Sequence, residues 1–275
     1  MSIEVKPITP ALGADIYGAD LSRDDHFEII HKAFVDHSVV AMHGLSLTPD
    51  DHLAFAERWG DININRFFTP VETHPQIATV LKEPGQDRAV GEDWHTDHSY
   101  DQVPAMGSLL YAVETPPVGG DTAFVSMNAA YLALSEGFRA TLDSLKAWHS
   151  SRHVFGEKQT DSETHQSGRL GNAEAATQDA LHPLVITQPL SGRRGIYVNR
   201  VFTTHIDGWT AEESAPLLKQ LYEHCAREEF ACRIRWKPGT LAIWDNRATW
   251  HKAINDYPGH RRLMHRITID GVPLS

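Results

Sequence analysis

Short runs of apolar residues, separated by turn-forming residues, recur along the chain and predict many short β-strands. Turn signals such as Pro116-Pro117-Val118-Gly119-Gly120-Asp121, Ser191-Gly192 and Lys237-Pro238-Gly239 lie between these runs. The predicted strands are Val39–Met42, Ile77–Leu81, Ser108–Val113, Thr122–Val125, Leu184–Thr187, Gly195–Val198, Cys232–Trp236, Thr240–Trp244 and Arg262–Ile269. This spacing favours a sandwich or barrel, and a jelly roll is the architecture that we expect.

The helical signals are fewer, so the predicted fold is mainly β with flanking helices. Thr48-Pro49-Asp50-Asp51 combines a capping residue, a first-turn proline and two acids, and predicts a helix that ends near Trp59 with Gly60 as its stop. Thr210-Ala211-Glu212-Glu213 predicts a second helix, which runs to about Arg227. Two more are predicted over Phe27–Val35 and, as a broken helix, within Ala129–Leu145.

Length and composition narrow the class of protein. The chain has 275 residues, 41% of them apolar, which suits a single domain over 1–275. Its formal charge of −11 argues against nonspecific binding to nucleic acid, and no run of eighteen apolar residues predicts a membrane span. We read no secretory signal at the N-terminus, and the two cysteines, Cys225 and Cys232, make a reducing cytoplasm the expected location.

A polar stretch from Glu157 to Asp179 stands apart from the strand pattern. It is rich in Ser, Thr, Gln, Glu and Ala. Long polar loops in compact domains are usually functional lids or solvated insertions. We therefore predict a lid insertion at 157–179, with a plain solvated loop as the alternative.

Trp94-His95-Thr96-Asp97 is the first candidate metal motif. We predict that it is part of a strand, so that His95 and Asp97 share one face and can bind one ion. A further histidine would complete the 2-His-1-carboxylate triad that is typical of non-haem Fe(II). His205-Ile206-Asp207 has the same spacing and His26-Phe27-Glu28 nearly so, but we interpret the first as a turn and the second as a helix start, both structural.

Two arginines near the C-terminus point to buried anions. Arg262 follows His251 by eleven residues, and Arg262 and Arg266 lie four apart on one predicted strand, so they share a face. Unpaired inward charges are costly, whereas a guanidinium can hold a carboxylate through two parallel bonds. The partner of Arg266 is either an internal acid or an anionic substrate.

Taken together, these motifs resemble the taurine dioxygenase / aryloxyalkanoate dioxygenase (TauD/TfdA) family of Fe(II)/2-oxoglutarate-dependent oxygenases over nearly the whole chain. The motifs that carry the resemblance are Gly18-Ala19-Asp20-Leu21, Trp94-His95-Thr96-Asp97, Gly119-Gly120-Asp121-Thr122, His182-Pro183, Val198-Asn199, Ile243-Trp244-Asp245-Asn246, His251 and Arg261-Arg262-Leu263-Met264-His265-Arg266.

The resemblance implies a double-stranded β-helix fold and a set of roles. His95, Asp97 and His251 would be the iron ligands and the catalytic centre. Arg262 would bind the distal carboxylate of the cosubstrate 2-oxoglutarate, assisted by the hydroxyl of Thr122, and O₂ would be the oxidant. A homodimer or homotetramer is expected from the fold alone.

The substrate is the least determined part of this prediction. By similarity, Arg266 holds a substrate anion, while Asn65 and Phe68 stand where taurine-type enzymes place a His and a Tyr, and Gly91 stands where an Asn is often found. These departures argue against taurine itself. With Phe202 as a further wall, this less polar pocket favours a small anionic substrate with a larger apolar or aromatic body. The resemblance implies that such a substrate is hydroxylated next to a heteroatom, with C–O or C–S cleavage.

An aryloxyalkanoate-type acid is the favoured substrate, and the alternative is an alkyl or aryl sulfonate or a sulfate ester. Two other classes stay open at this point. One is a Zn²⁺-dependent hydrolase or isomerase on a jelly-roll scaffold. The other is a non-enzymatic sensor that binds 2-oxoglutarate without turnover.

Overall fold

The computed structural model describes residues 2–159 and 162–274, except for the side chains of 158, 163 and 165. Within these ranges the strands are β1 (Glu4–Pro7), β2 (Ala14–Tyr17), β3 (Val39–Met42), β4 (Ile62–Asn63), β5 (Pro70–Val71), β6 (His74–Lys82), β7 (Gly107–Glu114), β8 (Thr122–Ser126), β9 (Lys146–Ser150), β10 (Asp179–Pro183), β11 (Val185–Thr187), β12 (Arg194–Ile196), β13 (Thr203–Ile206), β14 (Ala231–Ile234), β15 (Leu241–Asp245), β16 (Thr249–Ala253) and β17 (Arg262–Ile269). The α-helices are α1 (Asp24–His37), α2 (Pro49–Glu57), α3 (Met127–Leu132), α4 (Glu136–Leu142), α5 (Arg152–Phe155), α6 (Glu163–Gln166) and α7 (Ala211–Cys225), and short 3₁₀ turns cover Glu157–Gln159, Ala173–Ala175 and Glu228–Phe230.

The predicted helices are present, with shifted ends. Thr48 and Thr210 each accept a hydrogen bond from the backbone three residues on and form complete capping boxes for α2 and α7. The broken helix appears as α3 and α4, and α1 begins three residues before the predicted Phe27. Of the described residues, no helix is long and apolar enough to cross a membrane.

The strands form one large sheet and three small ones. The large sheet has the order β1-β2-β3-β15-β7-β17-β6-β5, with β4 also paired to β17. The small sheets are β14-β8-β16, β10-β9-β13 and β11-β12. All nine predicted strands are found, with ends shifted by up to three residues, and the other eight strands, including β16, were not predicted.

Alternation along β3 shows how the layers are held together. Val40 and Met42 pack with helices α1 and α2, whereas Val39 and Ala41 pack on the other face, with Phe124 of β8. Side chains of successive strand residues point to opposite faces, so the large sheet buries both of its surfaces. The result is the predicted jelly-roll core, in which the large sheet faces the β14-β8-β16 sheet.

The predicted lid insertion contains more structure than a plain loop. The described part of 157–179 holds α6 and two 3₁₀ turns, and Asp179 already begins β10. Residues 160 and 161 of the predicted lid lie outside the described residues.

Candidate active site

Three side chains that the sequence singled out meet between the two facing sheets. Nε2 of His95 lies 3.5 Å from Oδ1 of Asp97, and Nε2 of His251 lies 3.7 Å from Oδ2 of the same residue. All three ligand atoms lie within 4.8 Å of one another. Two ligands at about 2.0–2.2 Å from one ion are at most about 4.4 Å apart, so the two distances between histidine and aspartate atoms suit a shared metal. The donor set, two imidazoles and one carboxylate, is the one typical of non-haem Fe(II).

The segment that carries His95 and Asp97 is a loop, which corrects the predicted strand. His95 forms an isolated bridge with His251, with backbone hydrogen bonds of 3.1 and 2.8 Å in the two directions, and a turn follows from Asp97. Thr96 anchors the loop, because its hydroxyl donates to the carbonyl oxygen of Thr249 at 2.6 Å. The two side chains converge although the extended pairing lasts for only one residue.

His95 is oriented by its own chain. Its Nδ1 lies 2.8 Å from the carbonyl oxygen of Asp93, a contact that fits an Nδ1–H donor and leaves Nε2 to face Asp97. A backbone acceptor of this kind is what usually fixes a metal-binding histidine. Gly91 lies against the same ring: with φ at +81°, a Cβ on it would lie 3.1 Å from Cε1 of His95.

His251 lies on the edge strand of the β14-β8-β16 sheet, between β8 and the loop of His95. It lies on β16 opposite Phe124 of β8, and its ring centroid is 4.8 Å from that of Trp244. Burial, together with the neighbouring His95, lowers the pKa of His251 to about 3. The imidazole is therefore neutral near pH 7, the state that a metal ligand requires.

Asp97 is the charged centre of the group. Burial works against its ionisation, but the charge of Arg266 and the adjacent histidines outweighs burial and holds the pKa of Asp97 well below its usual value. Nη1 of Arg266 lies 3.2 Å from Oδ2 of Asp97, and the guanidinium carbon lies 4.3 Å from the centroid of the Phe68 ring. The internal partner of Arg266, left open by the sequence, is thus a candidate iron ligand.

Arg262 and Thr122 face the same space from opposite sheets. Nε of Arg262 donates to the carbonyl oxygen of Gly120 at 3.1 Å, and among the described residues no protein atom accepts from its buried Nη2. Burial lowers the pKa of Arg262, a direction that a bound anion would reverse. The hydroxyl of Thr122 accepts from Nε1 of Trp236 at 2.9 Å, which leaves its own proton available to an acceptor in the cavity.

These groups line one cavity of about 260 Å³, a size that suits small molecules. Its wall includes the three candidate ligands, both arginines, Thr122, Gly91 and an apolar group formed by Phe68, Val80, Leu110, Val154, Phe155, Leu170, Val201 and Phe202.

Asn65 is the one predicted site residue that the structure places elsewhere. It is absent from the cavity wall, and its side-chain oxygen accepts from the backbone N–H groups of Phe67 and Phe68 at 2.9 and 3.0 Å. Asn65 therefore shapes the turn that presents Phe68, a role that Asn commonly takes in turns.

Both competing motifs lie away from the cavity. His205 belongs to β13, which corrects the predicted turn, and its ring stacks on Trp148, whose indole N–H donates to Asp207. His26 is buried on α1, and its Nδ1 accepts from the backbone N–H of Asp20.

The profile of the family described as "Taurine catabolism dioxygenase TauD, TfdA family" matches residues 4–268. The chain belongs to this family. An alpha-ketoglutarate-dependent sulfate ester dioxygenase of Pseudomonas putida is 32% identical, over 98% of this chain and 90% of its own length. An alpha-ketoglutarate-dependent 2,4-dichlorophenoxyacetate dioxygenase of Cupriavidus pinatubonensis is 30% identical, over 98% and 99%.

Solved structures agree with this assignment. A taurine dioxygenase from Burkholderia xenovorans has a TM-score of 0.82 and 32% identity, covering 98% of this chain and 92% of its own. AAD-2 in complex with Mn(II) and N-oxalylglycine has a TM-score of 0.76 and 27% identity, covering 99% and 98%. The chain is an Fe(II)/2-oxoglutarate-dependent dioxygenase, and the Zn²⁺ hydrolase and non-enzymatic sensor hypotheses are set aside.

Proposed function

We propose that His95, Asp97 and His251 hold the iron, that Arg262 and Thr122 bind 2-oxoglutarate, and that Arg266 binds the anionic group of a small aryloxyalkanoate-type acid. The observation that carries this proposal is that Arg262 and Arg266 lie on one strand, are 5% and 7% exposed, and open into the cavity of the triad. Along an extended strand, residues four apart are separated by about 13 Å. One small anion does not reach both charges, so the two arginines need separate anions. Arg262 has no acidic partner among the described residues, whereas Arg266 has Asp97, whose charge a bound metal would share.

The cosubstrate supplies the first anion. Arg262 offers an unpartnered Nη2–H and Thr122 offers a hydroxyl proton, and together they suit the distal carboxylate of 2-oxoglutarate. When bound, iron and 2-oxoglutarate supply the activation of O₂, with release of succinate and CO₂. The role of Arg262 in this scheme is to fix the cosubstrate's far end and so its orientation toward the three ligands.

The substrate supplies the second anion. Arg266 is paired with Asp97, whose charge is shared with a cation once the metal site is filled. The buried Nε of Arg266 has no acceptor among the residues that the structure describes. A carboxylate that reaches Arg266 would both accept from Nε and restore the local charge balance.

The apolar wall determines the rest of the substrate. Phe68 and Phe202 face the cavity together with aliphatic side chains, so an aromatic or alkyl body is better accommodated than a second polar group. Hydroxylation of the carbon between an ether oxygen and a carboxylate gives a hemiacetal, which separates into a phenol and an oxo acid. The dichlorophenoxyacetate dioxygenase among the relatives supports this choice.

A sulfate ester is the second candidate, because the Pseudomonas putida relative at 32% identity is named for that substrate class. A sulfonate follows from the same anion site. Either would place its sulfur-bound oxygens at Arg266 and its alkyl or aryl chain against the same wall.

A matched substrate panel tests the proposal. Aryloxyacetates, aryloxypropionates, alkyl sulfates, alkyl sulfonates, taurine and the methyl esters of the acids would each be supplied with Fe(II) and 2-oxoglutarate. We expect substrate-dependent succinate formation and O₂ uptake to be greatest with an aryloxyalkanoate and lowest with the neutral esters. A faster reaction with alkyl sulfates would favour the second candidate, and equal rates for acid and ester would refute the anion site.

Three further proposals concern the surroundings of the site. The stretch 157–179 would close over bound substrate and exclude water, which limited proteolysis with and without the full set of ligands would test.

Cys225 and Cys232 are both free and buried, which supports a location in a reducing cytoplasm, and cell fractionation would test this location. A dimer or tetramer is testable by light scattering.

A further inference from the structure

Residues 65–70, called the Phe68 segment below, connect the cavity wall with residues 168–172, which lie within the described part of the predicted lid. Phe68 and Leu170 form an isolated antiparallel bridge, and both line the cavity. Three hydrogen bonds join the same two segments: Gly171 N–H to the Phe67 carbonyl at 2.8 Å, the Thr69 hydroxyl to the Gly168 carbonyl at 2.7 Å, and the Asn172 side-chain amide to the Arg66 carbonyl at 3.0 Å. A displacement of residues 168–172 therefore pulls on the Phe68 segment.

Arg66 links that segment to the loop of the metal site. Its Nη2 lies 2.6 Å from each carboxylate oxygen of Asp101, and the two side chains are 32% and 15% exposed. Oδ2 of Asp101 also lies 2.9 Å from Nδ1 of His98. The Arg66–Asp101 pair thus joins the Phe68 segment to the turn that begins at Asp97.

Asp101 determines the shape of that turn. Its backbone N–H donates to the carbonyl of His98 at 3.0 Å, and its own carbonyl lies 3.0 Å from Nε2 of His182. His98 adopts a φ of +60°, a conformation that residues other than glycine rarely take without support. The side-chain contact from Asp101 to His98 supplies support of this kind one residue after the carboxylate ligand candidate.

We propose that Arg66 is a positioning residue. Through Asp101 it fixes the 97–101 turn, and so it fixes the orientation of Asp97 relative to the side of the cavity that Phe68 forms. The inference rests on the proposed function, because it takes Asp97 as a metal ligand and Phe68 as substrate wall. Its consequence is that a movement of residues 168–172 when substrate binds is transmitted to the 97–101 turn through the Arg66–Asp101 pair, in addition to the contact of Phe68 with Arg266 and of Arg266 with Asp97. Arg66 touches neither the cavity ligands nor the substrate, so its effect is indirect.

Metal affinity gives a readout that does not depend on turnover. Arg66→Met keeps an unbranched side chain and removes the charge, Arg66→Lys keeps the charge, and Asp101→Asn removes the partner. We expect Arg66→Met and Asp101→Asn to weaken Mn(II) binding, measured by titration calorimetry, by about tenfold, as is common when groups behind a ligand are changed. Arg66→Lys should recover part of the loss, and the double variant should be no worse than either single one.

Arg58 provides a matched control. Its Nη2 lies 2.6 Å from Oδ1 of Asp24, and its guanidinium lies 4.3 Å from the Phe27 ring. Arg66 is likewise paired with an acid and lies 6.0 Å from the Tyr100 ring. Arg58→Met should lower the unfolding temperature comparably and leave Mn(II) affinity unchanged.

Turnover gives the second readout. With a substrate that the wild type accepts, Arg66→Met should lower the ratio of hydroxylated product to succinate and reduce kcat for product by about tenfold or more, since small misplacements are costly in catalysis. Affinity for 2-oxoglutarate should stay within about twofold, because Arg262 and Thr122 are unchanged. Mn(II) affinity and product ratio equal to those of Arg58→Met would overturn the inference. Absence of succinate from the wild type across the substrate panel would instead refute the proposed function, and the Mn(II) titration would still decide the role of Arg66.

Discussion

Arg266 and Asp97 share a hydrogen bond of 3.2 Å between Nη1 and Oδ2, so the arginine proposed for the substrate contacts a proposed iron ligand directly. Both side chains are almost fully buried. The substrate end and the metal end of the cavity are therefore electrostatically linked, and a change at either one is felt at the other.

Replacement of Arg266 by Leu tests the anion site. We expect the KM for an acidic substrate to rise by about tenfold or more, since a charge-assisted hydrogen bond contributes roughly 1.5–3 kcal/mol. Slow decarboxylation of 2-oxoglutarate without substrate should continue, because Arg262 is intact. Steady-state kinetics with an acid and its methyl ester give the measurement, and an unchanged preference for the acid would show that Arg266 serves only to pair with Asp97.

Arg262→Ala should weaken 2-oxoglutarate binding by about tenfold or more for each charge-assisted bond that is lost. Arg262→Lys should restore only part of the affinity, because an ammonium lacks the planar fork. Arg261→Ala is the control, since the half-exposed Arg261 pairs with Glu83 and Glu114 outside the cavity. Titration calorimetry decides the matter: equal affinities in the two alanine variants would contradict the assignment.

Loss of a metal ligand is testable by direct metal analysis. His95→Ala, Asp97→Ala and His251→Ala should each lose stoichiometric Fe(II) and turnover, because two remaining ligands hold the ion poorly. His205→Ala should keep both, since His205 stacks on Trp148 away from the cavity. Full iron content in His251→Ala, with the far-ultraviolet circular dichroism of the wild type, would be evidence against the triad.

Gly91→Ala probes the space beside His95. A Cβ would lie 3.1 Å from Cε1 of that ring, and the backbone φ of +81° disfavours any side chain. We expect Fe(II) affinity to fall by about tenfold while 2-oxoglutarate affinity of the metal-loaded protein changes less. At Gly85 no atom lies within 4 Å of the corresponding position, so Gly85→Ala should behave as wild type. The same metal affinity in both variants would show that the His95 ring can move aside without weakening metal binding.

Stability at acid pH should depend on His52, which is 1% exposed on α2. Burial, with a smaller effect of His265, lowers its pKa from 6.5 to about 3. Between these two pH values the unfolded chain binds more protons at His52 than the folded chain does. The contribution of His52 to the free energy of unfolding is therefore fully present above pH 6.5 and is lost as the pH falls toward 3. Well below pH 6.5 the loss is about 1.4 kcal/mol per pH unit.

His52→Leu should remove that contribution and flatten the decline. Urea unfolding of the wild type, His52→Leu and the exposed-site control His260→Leu between pH 7 and pH 4 gives the comparison. Parallel declines in wild type and His52→Leu would mean that His52 is protonated without cost in the folded protein.

The sequence predicted that three side chains would lie together better than it predicted the elements that carry them. His95, Asp97 and His251 lie close together as expected, but His95 and Asp97 do so from a loop, and β16, which carries His251, was not among the predicted strands. The side chains still lie close together without the predicted strand, because the backbone pairing of His95 with His251 requires only one extended residue.

Other features had no signal that one sequence could supply. Arg66 and Asp101 are 35 residues apart, and neither lies in a periodic pattern, so their contact depends on tertiary structure. Asn65 is different, because Asn side chains commonly accept a hydrogen bond from the backbone N–H two residues later and so form turns. This local preference could have predicted a turn at Asn65 instead of a position in the substrate pocket.

The cavity wall contains two kinds of residue, and the two kinds can change at different rates during evolution. Thr122, His251, Arg262 and Arg266 lie on strands, where each is constrained by backbone pairing with at least one neighbouring strand. Phe68, Leu170 and Phe202 lie in connecting segments, where substitutions and insertions disturb less of the sheet. New substrate preferences can therefore arise by exchange of these segments on an unchanged oxidising core, and transplanting 65–70 together with 168–172 from a relative is the smallest exchange that keeps their mutual hydrogen bonds.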